Sequence, residues 1–437
     1  MSTATLVDKV RQAGVIGAGG AGFPTYVKIS QPVETLIING AECEPLLNKD
    51  NALMQHFTEE LVQGIALLQE ALKPVRTVIG IKAKNSDSIS IVSKAADRID
   101  LELFQMEDYY PAGDEVNLVY EITGKLIPPA GIPLALNIVV LNVETVINLF
   151  HASRNKPVTH SMVTVTGAVR QPVTSWLPVG LSIRKAIEFA GGTSLRDYLI
   201  IDGGPMMGRL VEDLEQPVEK TSSGFIVVPR THGYVKRQLV SAEQRTRIGR
   251  SVCDQCNMCT QLCPRYLLGY TVEPHRVMRH QQTVDTNPVS RWGEICCECG
   301  ICTLVSCPEN LDPRLACQLS KQSLRKLGET YHGPTTAVPH PLGEFRKLST
   351  SYVIRRLGLL EFKKQAPFRE YRGDCGDLII RLNQHIGTKA SPEVEVGDKV
   401  SADQLLASVP TDNLGVGVHS PASGTVVGIN SEEIIIQ

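Results

Sequence analysis

The chain has 437 residues, of which 44 are basic and 46 acidic, for a formal net charge of −2. That length exceeds what one hydrophobic core serves, so three or four domains are expected. The balanced charge excludes a global field for nucleic acid or anionic membrane. The N-terminal segment lacks the apolar core of a secretory signal. The most apolar stretch, Ile132–Leu149, is interrupted by Asn137, Asn142, Glu144 and Asn148, so no membrane insertion is expected. A cytoplasmic protein is the reading that fits.

Residues 1–155 alternate strand and helix signals. Thr3–Ala13 carries Leu6, Val10 and Ala13 at helical spacing and reads as a first packed helix, with a targeting peptide as the alternative. Val33–Asn39 is a short apolar strand. Asn51–Leu72 reads as one helix with Leu53, Phe57, Leu61, Ile65 and Leu68 on a shared face. Arg76–Ala83, Leu101–Met106 and Asn137–Val143 read as further strands, with a helix over Asp87–Ile99. This order predicts a mainly parallel sheet with helices on both faces.

A smaller α+β domain is expected over 157–230. Met162–Val169 alternates as a strand does, Ser182–Ala190 reads as a helix stopped by Gly191-Gly192, and Tyr198–Ile201 and Phe225–Val228 read as strands. A basic helical segment, Ser241–Arg250, leads into a cysteine-rich region at 240–330. A Pro/His/Gly-rich linker, Gly333–Gly343, then separates a β-rich C-terminal domain, 345–437. Its segments Val394–Lys399 and Val418–Gly428 resemble the halves of lipoyl and biotinyl domains. The turn Pro421–Gly424 has no lysine, so a barrel-sandwich hybrid is expected without a carrier role.

The cysteines carry the strongest signal. Cys253, Cys256, Cys259 and Cys263 form C-x2-C-x2-C-x3-C-P, and Cys296, Cys299, Cys302 and Cys307 form C-x2-C-x2-C-x4-C-P. This doubled run is the spacing of a two-cluster ferredoxin, in which the fourth cysteine of each run ligates the other cluster. One [4Fe–4S] cluster is therefore assigned to Cys253, Cys256, Cys259 and Cys307, and the second to Cys296, Cys299, Cys302 and Cys263. Zinc sites space their cysteine pairs further apart, and disulfide frameworks belong to small secreted domains. The extra residue before Cys307 requires a bulge, and Cys297 competes with Cys296 as a ligand. The ten histidines form no ligand-spaced group.

The segment Gly17–Thr25 is glycine-rich, and Lys28 follows it. Glycine N–H groups can line an anion, but the loop matches neither the dinucleotide fingerprint nor the P-loop. Three polar, acid-bearing turns follow the predicted strands: Asn39–Pro45, Tyr109–Glu115 and Asn142–Thr145. That is the edge at which open α/β sheets bind ligands, although helix capping explains such acids equally well.

Together these segments resemble the flavin-bearing, NADH-oxidising subunit of respiratory complex I. They are closer still to the C subunit of the Rnf electron-transport complex, which shares the glycine loop, the Asn-Gly-Ala-Glu-Cys-Glu-Pro turn and the Gly203–Gly208 segment. The β domain stands last here and first in the Rnf protein, and this permuted order resembles the cobalamin reductases of propanediol-utilisation microcompartments. The resemblance implies an FMN domain, a β-grasp domain, a helical two-cluster ferredoxin domain and a barrel-sandwich hybrid. It implies FMN and two [4Fe–4S] clusters as cofactors and NADH as electron donor. Gly17, Gly19, Gly20, Gly22 and Lys28 would face the FMN phosphate. Asn39, Glu42, Asn142 and Thr145 would hold the ribityl chain and ring edge. Glu44, Tyr110, Gly113, Asp114 and Glu115 would line the face where nicotinamide stacks.

The implied acceptor is cob(III)alamin or cob(II)alamin, bound by this chain or by a partner adenosyltransferase, inside a microcompartment whose shell or enzymes are further partners. The Asp-x-His-x-x-Gly motif of base-off cobalamin enzymes is absent. The alternatives are a module of a larger electron-transport complex and an iron–sulfur relay without nicotinamide turnover. None of these readings requires an acid–base pair or a covalent nucleophile.

Overall fold

The structure, a computed structural model, describes residues 2–20, 22–283 and 290–437; Ala21 of the glycine loop lies outside them. Strands Thr35–Gly40, Arg76–Lys82, Glu102–Met106 and Ile138–Asn142 form a parallel four-stranded sheet with Thr35–Gly40 inside it. Successive side chains leave on opposite faces. Leu36, Ile38, Ile79, Ile81, Val139 and Leu141 pack in one core, and Ile37, Val78, Ile138 and Val140 in another. The first core is covered by helices Thr3–Gln12, Thr58–Leu72 and Val143–Ser153, and the second by Glu115–Thr123. Leu6 and Val10 are fully buried, so the first helix is a packed element of this domain.

Two local expectations are corrected. The single helix over Asn51–Leu72 is two, Lys49–His56 and Thr58–Leu72, broken at Phe57. Phe57 packs edge-on against Trp176 and Phe368, contacts from distant segments that a helical face does not reveal. The strand expected at Val394–Lys399 is mostly a turn: Gly397 has φ +100° and Glu395 N donates to Asp398 Oδ2 (2.8 Å), leaving only Lys399–Val400 as strand.

A five-stranded mixed sheet follows, with helix Ile183–Phe189 capped by Ser182 and stopped at Gly191 and Gly192, both at positive φ. Val163, Val165, Phe225 and Val227 of this sheet share one core with Leu378, Ile380, Val426 and Ile434 of the C-terminal β domain. The stretch after the linker does not join that domain. Leu348–Ser349 pairs with Tyr109–Tyr110, and Val353, Ile354 and Leu357 pack with Cys299, Ile301 and Leu304. The cysteine-rich region is built from short helices, and none of the described helices is long and apolar enough to cross a membrane.

Candidate functional site

The glycine loop is closed by a bridge between Ile16 and Pro24, with Gly17 N donating to Phe23 O (2.9 Å) and Gly22 N to Gly17 O (3.1 Å). Gly20 has φ +100°, which L side chains rarely adopt, and a Cβ there would meet nothing within 4 Å. The loop therefore presents bare backbone to open space. It is anchored from behind: Ala18 N donates to Thr145 Oγ1 (3.0 Å), and Lys49 Nζ donates to Ala18 O (3.0 Å).

In front of the loop lies a cleft of about 730 Å³ at the C-terminal ends of the parallel strands. Its size falls in the usual range for small-molecule and cofactor sites. Gly17, Gly19, Gly20, Lys28, Asn39, Glu44, Tyr110, Gly113, Asp114, Glu115, Asn142 and Thr145 all line it. Gly22 and Glu42 do not. The Gly22 carbonyl accepts from Ile386 N (3.0 Å), so this glycine seats the C-terminal domain. Glu42 accepts from Asp50 N (2.6 Å) and Asn51 N (3.2 Å) and caps the helix Lys49–His56, a contact outside the cleft. Burial, with Asp50 nearby, pushes its carboxyl up to about 8.

Buried charge fixes the cleft walls. Lys49 pairs with Glu144 (2.6 Å), both almost wholly buried, and Asn142 Nδ2 donates to both oxygens of Asp50 (3.1 and 3.2 Å). Glu144 also accepts from Met162 N (3.2 Å), tying this domain to the mixed sheet. Lys28 pairs with Glu115 (3.0 Å) across the cleft lining. Glu44 accepts from Met206 N and Met207 N (3.0 and 2.9 Å), and burial raises its carboxyl to about 7. A Cβ on Gly204 would stand 2.0 Å from Glu44 Oε2, so the Gly203–Gly208 segment needs its glycine to sit there. Behind the loop, buried Lys220 donates to Gly14 O (2.8 Å) and Gly417 O (3.0 Å), joining three segments.

Cys297 and Cys299 also line the cleft. The Tyr110 hydroxyl donates to Cys299 O (2.8 Å), linking the turn after the third strand to the second cysteine run. The sulfurs form two neighbourhoods. Burial, with Cys307, Cys256 and Cys253 nearby, pushes Cys259 up to about 12. Cys263 is raised by burial and then by Cys297 and Cys296, while Cys302 is raised by burial and then by Cys296, Cys263 and also Cys259 of the first group. The extra residue before Cys307 is taken up in a π-helical turn, Ile301–Ser306. The Cys296 thiol contacts Cys317 and that of Cys297 contacts Cys299. Among the described residues no three His, Cys, Asp or Glu side chains could hold one metal ion. A four-iron cube places one thiolate on each iron, so its ligands stand apart. Buried thiols that raise one another's pKa are groups that need a cation to ionise, and iron fits that need.

Family models match four segments: the Nuo51 FMN-binding domain over residues 10–151, an SLBB domain over 162–210, a 4Fe-4S dicluster domain over 252–312 and the RnfC barrel sandwich hybrid domain over 363–437. Cobalamin reductase PduS of Citrobacter freundii is 36% identical over 99% of this chain and 96% of its own length. The chain belongs to the PduS cobalamin reductase family. The Salmonella typhimurium PduS is likewise 36% identical, over 100% of this chain and 97% of its own. The C component of the ion-translocating oxidoreductase complex of Pectobacterium carotovorum is 35% identical over 61% of this chain and 35% of its own. An NAD+-reducing [NiFe]-hydrogenase crystal structure shares the fold, with TM-score 0.51 and 19% identity over 76% of this chain and 64% of that one. As a PduS-family protein the chain is a flavin and iron–sulfur oxidoreductase.

Sequence reasoning missed several members of the site. Lys49 and Asp50 follow the Asn39–Pro45 turn directly and carried a readable signal as adjacent opposite charges in an apolar context. Arg209, which pairs with Asp202 in the cleft lining, stands opposite it on the adjacent strand, whereas Arg265, which pairs with Asp114, had no signal because that pair depends on domain packing.

Proposed function

We propose that this protein passes electrons from NADH through FMN and two [4Fe–4S] clusters to cob(III)alamin or cob(II)alamin. The observation that carries this reading is a single cleft lined both by the glycine loop and by Cys297 and Cys299. FMN, when bound, supplies the exchange between a hydride's electron pair and single electrons. The chain supplies placement. Gly17, Gly19 and Gly20 offer bare backbone to a phosphate, with the Lys28 ammonium beside it. Asn39 and Asn142 at strand ends and Thr145 in the first turn of helix Val143–Ser153 are already fixed by hydrogen bonds, to orient the cofactor. Cys253, Cys256, Cys259 and Cys307 would hold one cluster, and Cys263, Cys296, Cys299 and Cys302 the other, nearer the cleft. Electrons then leave on the side of Cys256, the exposed cysteine of the first set.

The full-length relatives named cobalamin reductase support cobalamin as acceptor. The proposal includes its seat on this chain or on a partner adenosyltransferase, within a microcompartment. The experiment is anaerobic reduction of aquocobalamin by NADH with the purified, reconstituted protein. Turnover that requires added FMN supports the reading. Clusters that NADH never reduces would sink it.

A further inference from the structure

We propose that Asp114 and Arg265 form a charge bridge between the flavin cleft and the inner sulfur set, with Arg265 raising the reduction potential of that cluster and Asp114 offsetting it. Asp114 is then a positioning residue and not a nicotinamide contact. The inference rests on the reading that Cys263, Cys296, Cys299 and Cys302 hold a cluster.

The geometry is specific. Arg265 Nη1 and Nη2 donate to Asp114 Oδ2 and Oδ1 at 2.5 and 2.9 Å, a bidentate pair with both side chains largely buried. Arg265 follows Cys263-Pro264 directly and lies on the short helix Pro264–Leu267, so its backbone moves with a ligand of the inner set. Its guanidinium interacts electrostatically with Cys297 and Cys299 as well as with Asp114. Asp114 lines the cleft on its other side.

The carboxylate is largely committed, most of all at Oδ2. Besides Arg265 it accepts from Asn117 N (3.2 Å) and Asn117 Nδ2 (3.1 Å), capping the helix Glu115–Thr123. Little acceptor capacity is left for a ligand amide. A guanidinium in a low-dielectric site stabilises the reduced, more negative cluster, and a carboxylate does the opposite. Paired, the two charges nearly cancel for distant groups. The inner cluster is expected to feel the cation more, because Arg265 stands two residues after Cys263 while Asp114 caps a separate helix.

The test is an anaerobic redox titration of the full-length, FMN- and iron-loaded protein with EPR detection. Arg265→Gln should shift the inner cluster's midpoint potential negative. Asp114→Asn should shift it positive, and the double variant should return toward the starting value. Arg265→Lys keeps the cation and should hold the potential near that of the parent, which also decides the matter if Arg265→Gln fails to retain the cluster. Shifts of the same sign in both single variants, or none in either, overturn the bridge. So does an Asp114→Asn protein with unchanged potentials and a raised KM for NADH. A parent protein with only one EPR-active cluster overturns the cluster reading itself, and this inference with it.

Discussion

The parallel-sheet region and the cysteine-rich region are held together by different physics. The sheet is covered on both faces by apolar side chains, Leu36, Ile38, Leu53, Leu61, Ile65 and Leu141 in one core and Ile37, Val78, Leu118 and Val140 in the other, most of them fully buried. The cysteine-rich region places two helices of only four residues between longer ones, and the buried part of its main apolar cluster includes Cys263, Cys296, Cys307 and Cys317. Where cysteines stand in for aliphatic side chains, little transfer free energy is available from burial alone. Metal binding then becomes folding free energy. The sheet region should hold its shape without cofactors, and the cysteine-rich region should not.

Iron removal is the widest break of that contrast. Anaerobic chelation should expose residues 240–330 to protease while the sheet region stays resistant, and equal cutting in both regions would refute the distinction. Within the same experiment, Cys302→Ala should lower iron from about eight to about four per chain and abolish one EPR signal. Next in size is Lys49→Met, which leaves Glu144 buried without its cation. It should cost about 3–5 kcal/mol in denaturant unfolding of the sheet region, with iron content unchanged.

Gly20→Leu puts a side chain into the space before the loop. FMN affinity should fall at least about tenfold, or about 1.4 kcal/mol, by fluorescence titration, with both clusters retained. Retained flavin would move the site elsewhere. The remaining break is in pH dependence. The Glu44 carboxyl is raised from 4.5 to about 7, so the folded protein holds a proton that the unfolded chain releases. Its contribution is fully present below about 4.5 and is lost as pH rises through about 7, a change of about 3 kcal/mol. Glu44→Gln should flatten the decline in melting temperature between pH 5 and 8, and an unaltered slope would show that Glu44 is not its source.

Much of the sheet was readable because its strands alternate between two buried faces and its helices carry apolar stripes. Where reading failed, the deciding contact came from far along the chain. Phe57 lies on the predicted helical face, yet Trp176 and Phe368 hold it at a break between two helices. The linker at Gly333–Gly343 looked like the edge of the last domain, but Val353 and Ile354 beyond it pack against the cysteine-rich region. In the site, Glu42 and Glu44 look equivalent in the sequence. One caps a helix next to it, while the other meets the backbone of Met206 and Met207, more than 160 residues away.

The amino-acid order alone settled the chemistry on offer: cysteines three residues apart can meet a cluster within a turn or two, and glycines free a backbone for close approach wherever they stand. Those properties are local, so the chain carries them before it folds. Tertiary structure decided which groups are spent. Asp114 is bound to Arg265, 151 residues on, and Gly22 to the last domain, because only the packing of one domain on another brings those partners within hydrogen-bond range.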